Sequence, residues 1–194
     1  MKTCRVTRQG IAETIRVVMN MKRASNVKKA ASVKRGVIVK RAAKVIPMKR
    51  TQEAVEKRLK IFDELDYEVF SGQRWDRLAE SHAEDIIVTW PDGRETTGLA
   101  KHIDDLKTMF VYAPDTSIKV HPIRFGSGDF TCVTGVMTGT FTKPMPTGEG
   151  KTIPPTGKPF KLTMTTIGHW KGNTMDHEWL FWDNHEFMRQ IGLA

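Results

Sequence analysis

Residues 161–194, KLTMTTIGHWKGNTMDHEWLFWDNHEFMRQIGLA, read as two long strands joined by a tight turn and closed by a short terminal helix. Successive side chains on a strand point to opposite faces. On the first strand Thr165, Ile167 and His169 therefore share one face, with Met164, Thr166, Gly168 and Trp170 on the other. On the second, Met175, His177, Trp179, Phe181 and Asp183 alternate with Asp176, Glu178, Leu180 and Trp182. How the two sets match depends on the turn. A two-residue Gly172-Asn173 loop puts His169 on the face of Asp176 and Glu178. A three-residue Lys171–Asn173 loop, with Asn173 left-handed, puts His169 on the face of Asp183. The three-residue loop is preferred because it collects His169, His177, Trp179, Phe181 and Asp183 on one side, aromatic walls with titratable groups as a pocket would have. Asp176 and Glu178 then face away from that pocket, and a one-residue slip would exchange the two sets.

A carboxylate set among aromatics is costly unless neutral or partnered, which marks Asp183 as a candidate acid/base. His169 is its expected pocket partner. Trp90, Trp179, Phe181, His177, His82 and Ile167 are the expected substrate contacts. Each has a plainer alternative. Asp183 precedes Asn184-His185-Glu186 and can cap the terminal helix. His82 follows a helix end and can pair with its last carbonyls. The aromatics can belong to the core.

Outward from this hairpin, residues 52–70 carry Val55, Leu59, Phe62, Leu65 and Val69 at three- and four-residue steps, an amphipathic helix stopped by Ser71-Gly72. A short helix over 74–81, a strand over 82–90, a Pro91-Asp92-Gly93 turn and a helix over 99–110 follow. Strands are expected over 117–125 and 130–141, then a Gly/Pro-rich loop over 144–159. Helices first and antiparallel strands after make an α+β domain: a curved sheet wrapped on one side by helices, with a pocket between them.

The 194 residues divide by charge. Residues 1–50 hold 15 Lys/Arg and one acid; residues 51–194 hold 16 Lys/Arg and 21 Asp/Glu, so the net charge of +9 separates into +14 and −5. The arm, residues 1–50, also repeats a valine every six residues from Val27 to Val45. It fits an organellar targeting segment, a tail for nucleic acid or acidic membrane, or a disordered stretch ahead of a start at Met48. Nucleic acid is an expected partner only through this arm. Cys4 and Cys132 lie far apart, so a disulfide framework is not expected and a reducing, cytoplasmic setting is the default. No apolar run is long enough to span a membrane. The six histidines lack metal-ligand spacing, and no phosphate loop or dinucleotide fingerprint occurs, so neither metal nor cofactor is expected.

The hairpin with Gly168-His169-Trp170, the Trp90–Gly93 turn followed by Gly98, and the ending Phe187–Leu193 resemble SnoaL-like polyketide (ester) cyclases, of the nuclear transport factor two-like superfamily. The resemblance covers about residues 52–194. It implies a cystatin-like α+β barrel: a cone with an internal pocket. It implies a cofactor-free, intramolecular aldol-type cyclase or isomerase acting on an apolar polyketide-like or ester substrate. In the family an Asp at the end of the last strand is the acid/base and a His on the preceding strand lines the pocket; Asp183 and His169 match those places. A homodimer formed through the open sheet face is the implied assembly. The alternative is a non-catalytic domain of the same fold that binds a small apolar molecule or dimerises.

Overall fold

The computed structural model describes residues 48–148 and 150–194. The readings of the basic arm lie outside these residues, apart from Met48–Arg50, whose backbone already belongs to the first helix. Helix α1 (Met48–Glu64) turns Val55 and Phe62 into the core, at the spacing that puts side chains on one helix face. It runs on into a π-helical turn, Leu65–Phe70, where the Ser71 N–H reaches back to the Asp66 carbonyl at 3.2 Å. The wider turn buries Leu65, Val69 and Phe70 and carries Asp66 to the cavity wall. A 3-10 turn, Trp75–Glu80, leads into the sheet.

The sheet elements are β1 (His82–Thr89), β2 (Glu95–Thr97), β3 (Ser117–Ile118), β4 (Ile123–Ser127) and β5 (Phe130–Thr140). After them come a small ribbon, β6 (Met145–Gly148) with β7 (Lys151–Ile153), and the final hairpin, β8 (Pro159–Lys171) with β9 (Thr174–Phe181). Helix α2 (Leu99–Tyr112) stands between β2 and β3, and α3 (Asn184–Gln190) closes the domain. The strand order is β2-β1-β9-β8-β5-β3, with β4 also paired to β5, in a curved, unclosed sheet. All neighbours are antiparallel except β1 and β9. This is the α+β architecture expected. No helix of the described residues is long and apolar enough to cross a membrane.

Two details differ from the sequence reading. The stretch 117–125 is broken into β3 and β4 around His121-Pro122, because Pro122 has no N–H to give a ladder. The loop 144–159 contains the β6–β7 ribbon.

The third difference decides the site. The β8–β9 turn has two residues: Lys171 pairs with Thr174, and Gly172 takes φ +68 while Asn173 does not turn left-handed. A β-bulge follows at once. Trp170 pairs with Met175 but His169 pairs with His177, so Asp176 is the extra residue. Beyond the bulge His177, Trp179 and Phe181 do share a face with His169, Ile167 and Thr165. That face is the outer one. The helices cover the opposite face, where Leu162, Met164, Thr166, Trp170, Met175, Glu178 and Leu180 are buried.

Candidate active site

A cavity of about 1050 Å³ lies between the inner sheet face and the helices. Its apolar wall includes Leu65, Phe70, Leu106, Met109, Tyr112 and Leu180, and Trp90 and Trp182, also in the lining, pack edge to face at 6.5 Å. The Trp90–Gly93 turn contributes Trp90, Pro91 and Asp92 to the lining, and Arg94 lies 4.6 Å over the Trp90 ring.

His82, His102 and Glu178 meet in this cavity. They are 3%, 2% and 5% exposed, so their polar atoms have little access to water. Glu178 comes from β9, opposite Gly168. A Cβ at Gly168 would fall 2.5 Å from the Met175 sulfur; the glycine makes room for the buried Met175 side chain against the inner face. His102 lies one turn into α2 and sets its Nε2 3.3 Å from Glu178 Oε2. His82, at the start of β1, has its Nδ1 2.9 Å from Ser81 Oγ and 3.2 Å from the Leu78 carbonyl. Its Nε2 therefore points at Glu178 Oε2, 3.8 Å away and beyond hydrogen-bond length. His82 Nε2, His102 Nδ1 and Glu178 Oε2 are all buried without a hydrogen-bond partner. One donor atom from each of the three side chains lies within 4.8 Å of the others, so this is also the set among the described residues that can hold a metal ion.

Burial pushes the His102 pKa down to about 4, and Glu178 only partly offsets it, so the ring is neutral near pH 7. Burial alone would raise Glu178; the imidazoles of His82 and His102 outweigh it and hold the carboxyl below its ordinary value. Asp66, also on the cavity wall, is pushed up by burial against the opposing hydrogen bond from His121. His121 bridges two carboxylates, with Nδ1 2.8 Å from Asp63 and Nε2 2.8 Å from Asp66. Donating to both requires the imidazolium. The two acids overcome the desolvation of the ring and raise its pKa.

The expected site residues divide between the two faces. His82 and Trp90 line the cavity. His82 also makes the helix-end contact weighed against a pocket role, through Leu78. Asp183, expected to be a buried acid, is exposed and N-caps α3: its Oδ1 accepts the Glu186 N–H at 2.9 Å. It is not part of the cavity lining. His169 is on the outer face, where its Nδ1 bonds Asp176 at 2.5 Å. His177 stacks on Trp179 at 3.7 Å and contacts Thr89 Oγ1 at 3.0 Å, again outside. Ile167, Trp179 and Phe181 share that outer face with His169 and line no part of the cavity. The reason is the bulge and the face: an extra residue at Asp176 sets the phase of β9, and the helices cover the side opposite His169.

Glu178, His102 and Asp66 are the cavity groups the sequence reading passed over. A signal existed for each. His102 falls on the α2 stripe of Leu99 and Leu106, Asp66 stands four residues from both Phe62 and Phe70, and Glu178 alternates with Leu180.

The family model for SnoaL-like polyketide cyclase matches residues 62–191, about two thirds of the chain. The chain belongs to the SnoaL-like polyketide cyclase family. Solved structures agree on the fold. A protein from Jannaschia sp. CCS1 assigned as a SnoaL-like polyketide cyclase superposes with TM-score 0.63 at 17% identity, covering 73% of this chain and 95% of that one. IdmH from Streptomyces antibioticus, assigned as a polyketide cyclase, gives 0.59 at 22% identity over 70% of this chain and 98% of its own. A protein from Acidithiobacillus ferrooxidans with the same assignment gives 0.59 at 24% identity, over 70% and 94%. No curated protein sequence matches the chain.

Proposed function

We propose that the cavity catalyses proton-transfer chemistry next to a carbonyl, closing or isomerising a ring in an apolar, polyketide-like substrate. The observation that carries this reading is the convergence of Glu178, His102 and His82, all nearly excluded from water, in an apolar-walled cavity. The Glu178 carboxylate takes a proton from the carbon between two carbonyls, where a 1,3-dicarbonyl is already acidic. The neutral His102 ring, with its depressed pKa, donates an N–H to the oxygen on which charge collects. The enolate carbon then attacks a second carbonyl of the same molecule, forming the C–C bond, and Glu178 returns its proton to the new alkoxide. Atoms and electrons balance within the substrate and one carboxyl group. Family membership supports the cyclase reading of the cavity.

The test compares Glu178→Gln with Asp183→Asn against a panel of 1,3-dicarbonyl polyketide esters, with cyclised product followed by chromatography. Glu178→Gln is expected to lose about 10²- to 10⁴-fold in turnover and Asp183→Asn to retain it. The reverse pattern would return the acid/base role to Asp183.

We also propose that two copies pair across the outer sheet face. Ile123, Phe125, Phe130 and Phe181 are each about half exposed there, beside Ile167 and Trp179. A contiguous apolar patch of this kind calls for a partner, and a two-fold pair covers it with itself.

A further inference from the structure

We propose that His82, His102 and Glu178 form a binding site for one divalent transition-metal ion of the zinc class. The site uses the same atoms as the acid/base chemistry above but goes beyond that reading, and the two are separable by experiment.

The first argument is unmet bonding. His82 Nε2 and Glu178 Oε2 are buried without hydrogen-bond partners, and orphaned buried polar atoms are rare. In the His82 tautomer that donates Nδ1–H to the Leu78 carbonyl, Nε2 presents a lone pair to a carboxylate oxygen 3.8 Å away. Two acceptors facing each other need something positive between them. One proton shared by His102 and Glu178 would leave His82 Nε2 unserved; a central cation serves all three side chains.

The second argument is geometry. Ligands about 2.0–2.2 Å from a tetrahedral ion stand about 3.4 Å apart. His102 Nε2 and Glu178 Oε2 are already 3.3 Å apart, and no pair in the set exceeds 4.8 Å. The widest gap closes by about 1.4 Å, within the reach of side-chain rotation.

The third argument is the support behind the ligands. A metal-bound histidine usually gives its other ring N–H to a backbone carbonyl or carboxylate, and the Leu78 carbonyl, 3.2 Å from His82 Nδ1, is placed to accept it. Two imidazoles and one carboxylate suit zinc, cobalt or nickel better than calcium or magnesium, which prefer all-oxygen shells. Three protein ligands leave a position open toward the cavity for water or a substrate oxygen. Once coordinated, Glu178 cannot take a carbon-bound proton, so the ion and the acid/base cycle are alternative states of one site.

The experiment dialyses the full chain against chelator and titrates Zn²⁺ by calorimetry. One ion per chain is expected, with a raised thermal midpoint and release by chelator. His82→Gln and Glu178→Gln should each weaken binding at least about tenfold, with circular dichroism confirming the fold. Absence of saturable binding overturns the proposal, as does a site that both variants leave unchanged. Should a variant fail to fold, the visible spectrum of the Co²⁺-loaded unaltered chain decides. Nitrogen/oxygen coordination without thiolate charge-transfer bands supports the site; thiolate bands place the ion at a cysteine and overturn it. Turnover of metal-free protein is measured separately, so a failure to bind ions leaves the acid/base reading standing. Loss of the Glu178 activity effect leaves ion binding standing.

Discussion

His102 Nε2 stands 3.3 Å from Glu178 Oε2, with both side chains almost wholly buried. Helix α2 and strand β9 meet at this contact, and neither element reveals it alone. His102→Leu keeps the apolar stripe of α2 and removes the imidazole. It is expected to lower turnover by about 10²-fold or more and, because it leaves the buried Glu178 carboxyl a partner short, to cost about 1–3 kcal/mol of stability. Steady-state kinetics and urea denaturation on one preparation check both halves.

Asp183 is a helix cap, so its loss should act on stability. Asp183→Ala frees the Glu186 N–H and costs about 1 kcal/mol, read as a lower urea midpoint, with turnover per folded molecule unchanged. A fall in turnover larger than the loss of folded protein would contradict this assignment.

Arg58 ties α1 to two hairpin turns. It is buried and donates to the carbonyls of Gly172 at 3.0 Å and Gly128 at 2.8 Å, and to Asp129 Oδ1 at 3.0 Å. Arg58→Met fills similar volume but leaves the two carbonyls unserved. It should destabilise by about 2–4 kcal/mol, measured by chemical denaturation. Asp129→Asn, whose side chain is mostly exposed, should cost under about 1 kcal/mol.

The His121 bridge sets a pH dependence of stability. Its pKa is raised in the folded state by Asp66 and Asp63 against the desolvation of the ring; Arg124 pairs with Asp63 from β4, and the Tyr67 ring lies 4.6 Å away. A raised folded pKa means that the native state holds more protons. The contribution is therefore full below the unfolded value of about 6.5 and is lost as pH rises through the folded value. Asp66, raised by burial, acts in the same direction. Urea midpoints should fall as pH rises above about 6.5, and His121→Gln should flatten that slope. A midpoint that rises over this window in the unaltered chain would contradict the bridge.

The outer face should hold two copies together. Phe181→Lys places a charge in the exposed patch with Phe125 and Phe130. It is expected to shift the chain from dimer to monomer in light scattering at micromolar concentration, without loss of folded signal. An unaltered chain that is monomeric at high concentration would end the dimer reading.

Much of this architecture can be read in the sequence because it follows from periodicity. The steps of Val55, Leu59 and Phe62 fix α1, and the alternation of Leu162, Met164, Thr166 and Trp170 fixes the buried side of β8. What periodicity does not supply is phase. The bulge at Asp176 is one residue, with no proline or glycine at the spot to announce it, and it decides which half of β9 meets the helices. Nor does a pattern say which face of a strand pair the helices cover. The Leu162–Trp170 set is more apolar than Thr163, Thr165 and His169, and weighing the two would have turned Glu178 inward. His102 and Asp66 stayed hidden because a polar residue on an apolar stripe reads as noise until the opposite wall is seen.

The Gly172-Asn173 turn is exposed on both residues, and the Asp176 bulge that follows it sets the phase of β9. An unpaired residue next to the turn is absorbed there, and from His177 onward β9 keeps step with β8. Residues added at the exposed Gly172-Asn173 tip, ahead of the buried Met175, leave the pairing from His177 onward and hence the cavity as they are. The same change a few residues later would exchange Glu178 for an aromatic neighbour. For engineering, the hairpin tip is where a tag or graft can be carried, and the stretch from His177 to Leu180 is where the reading frame of the fold is kept.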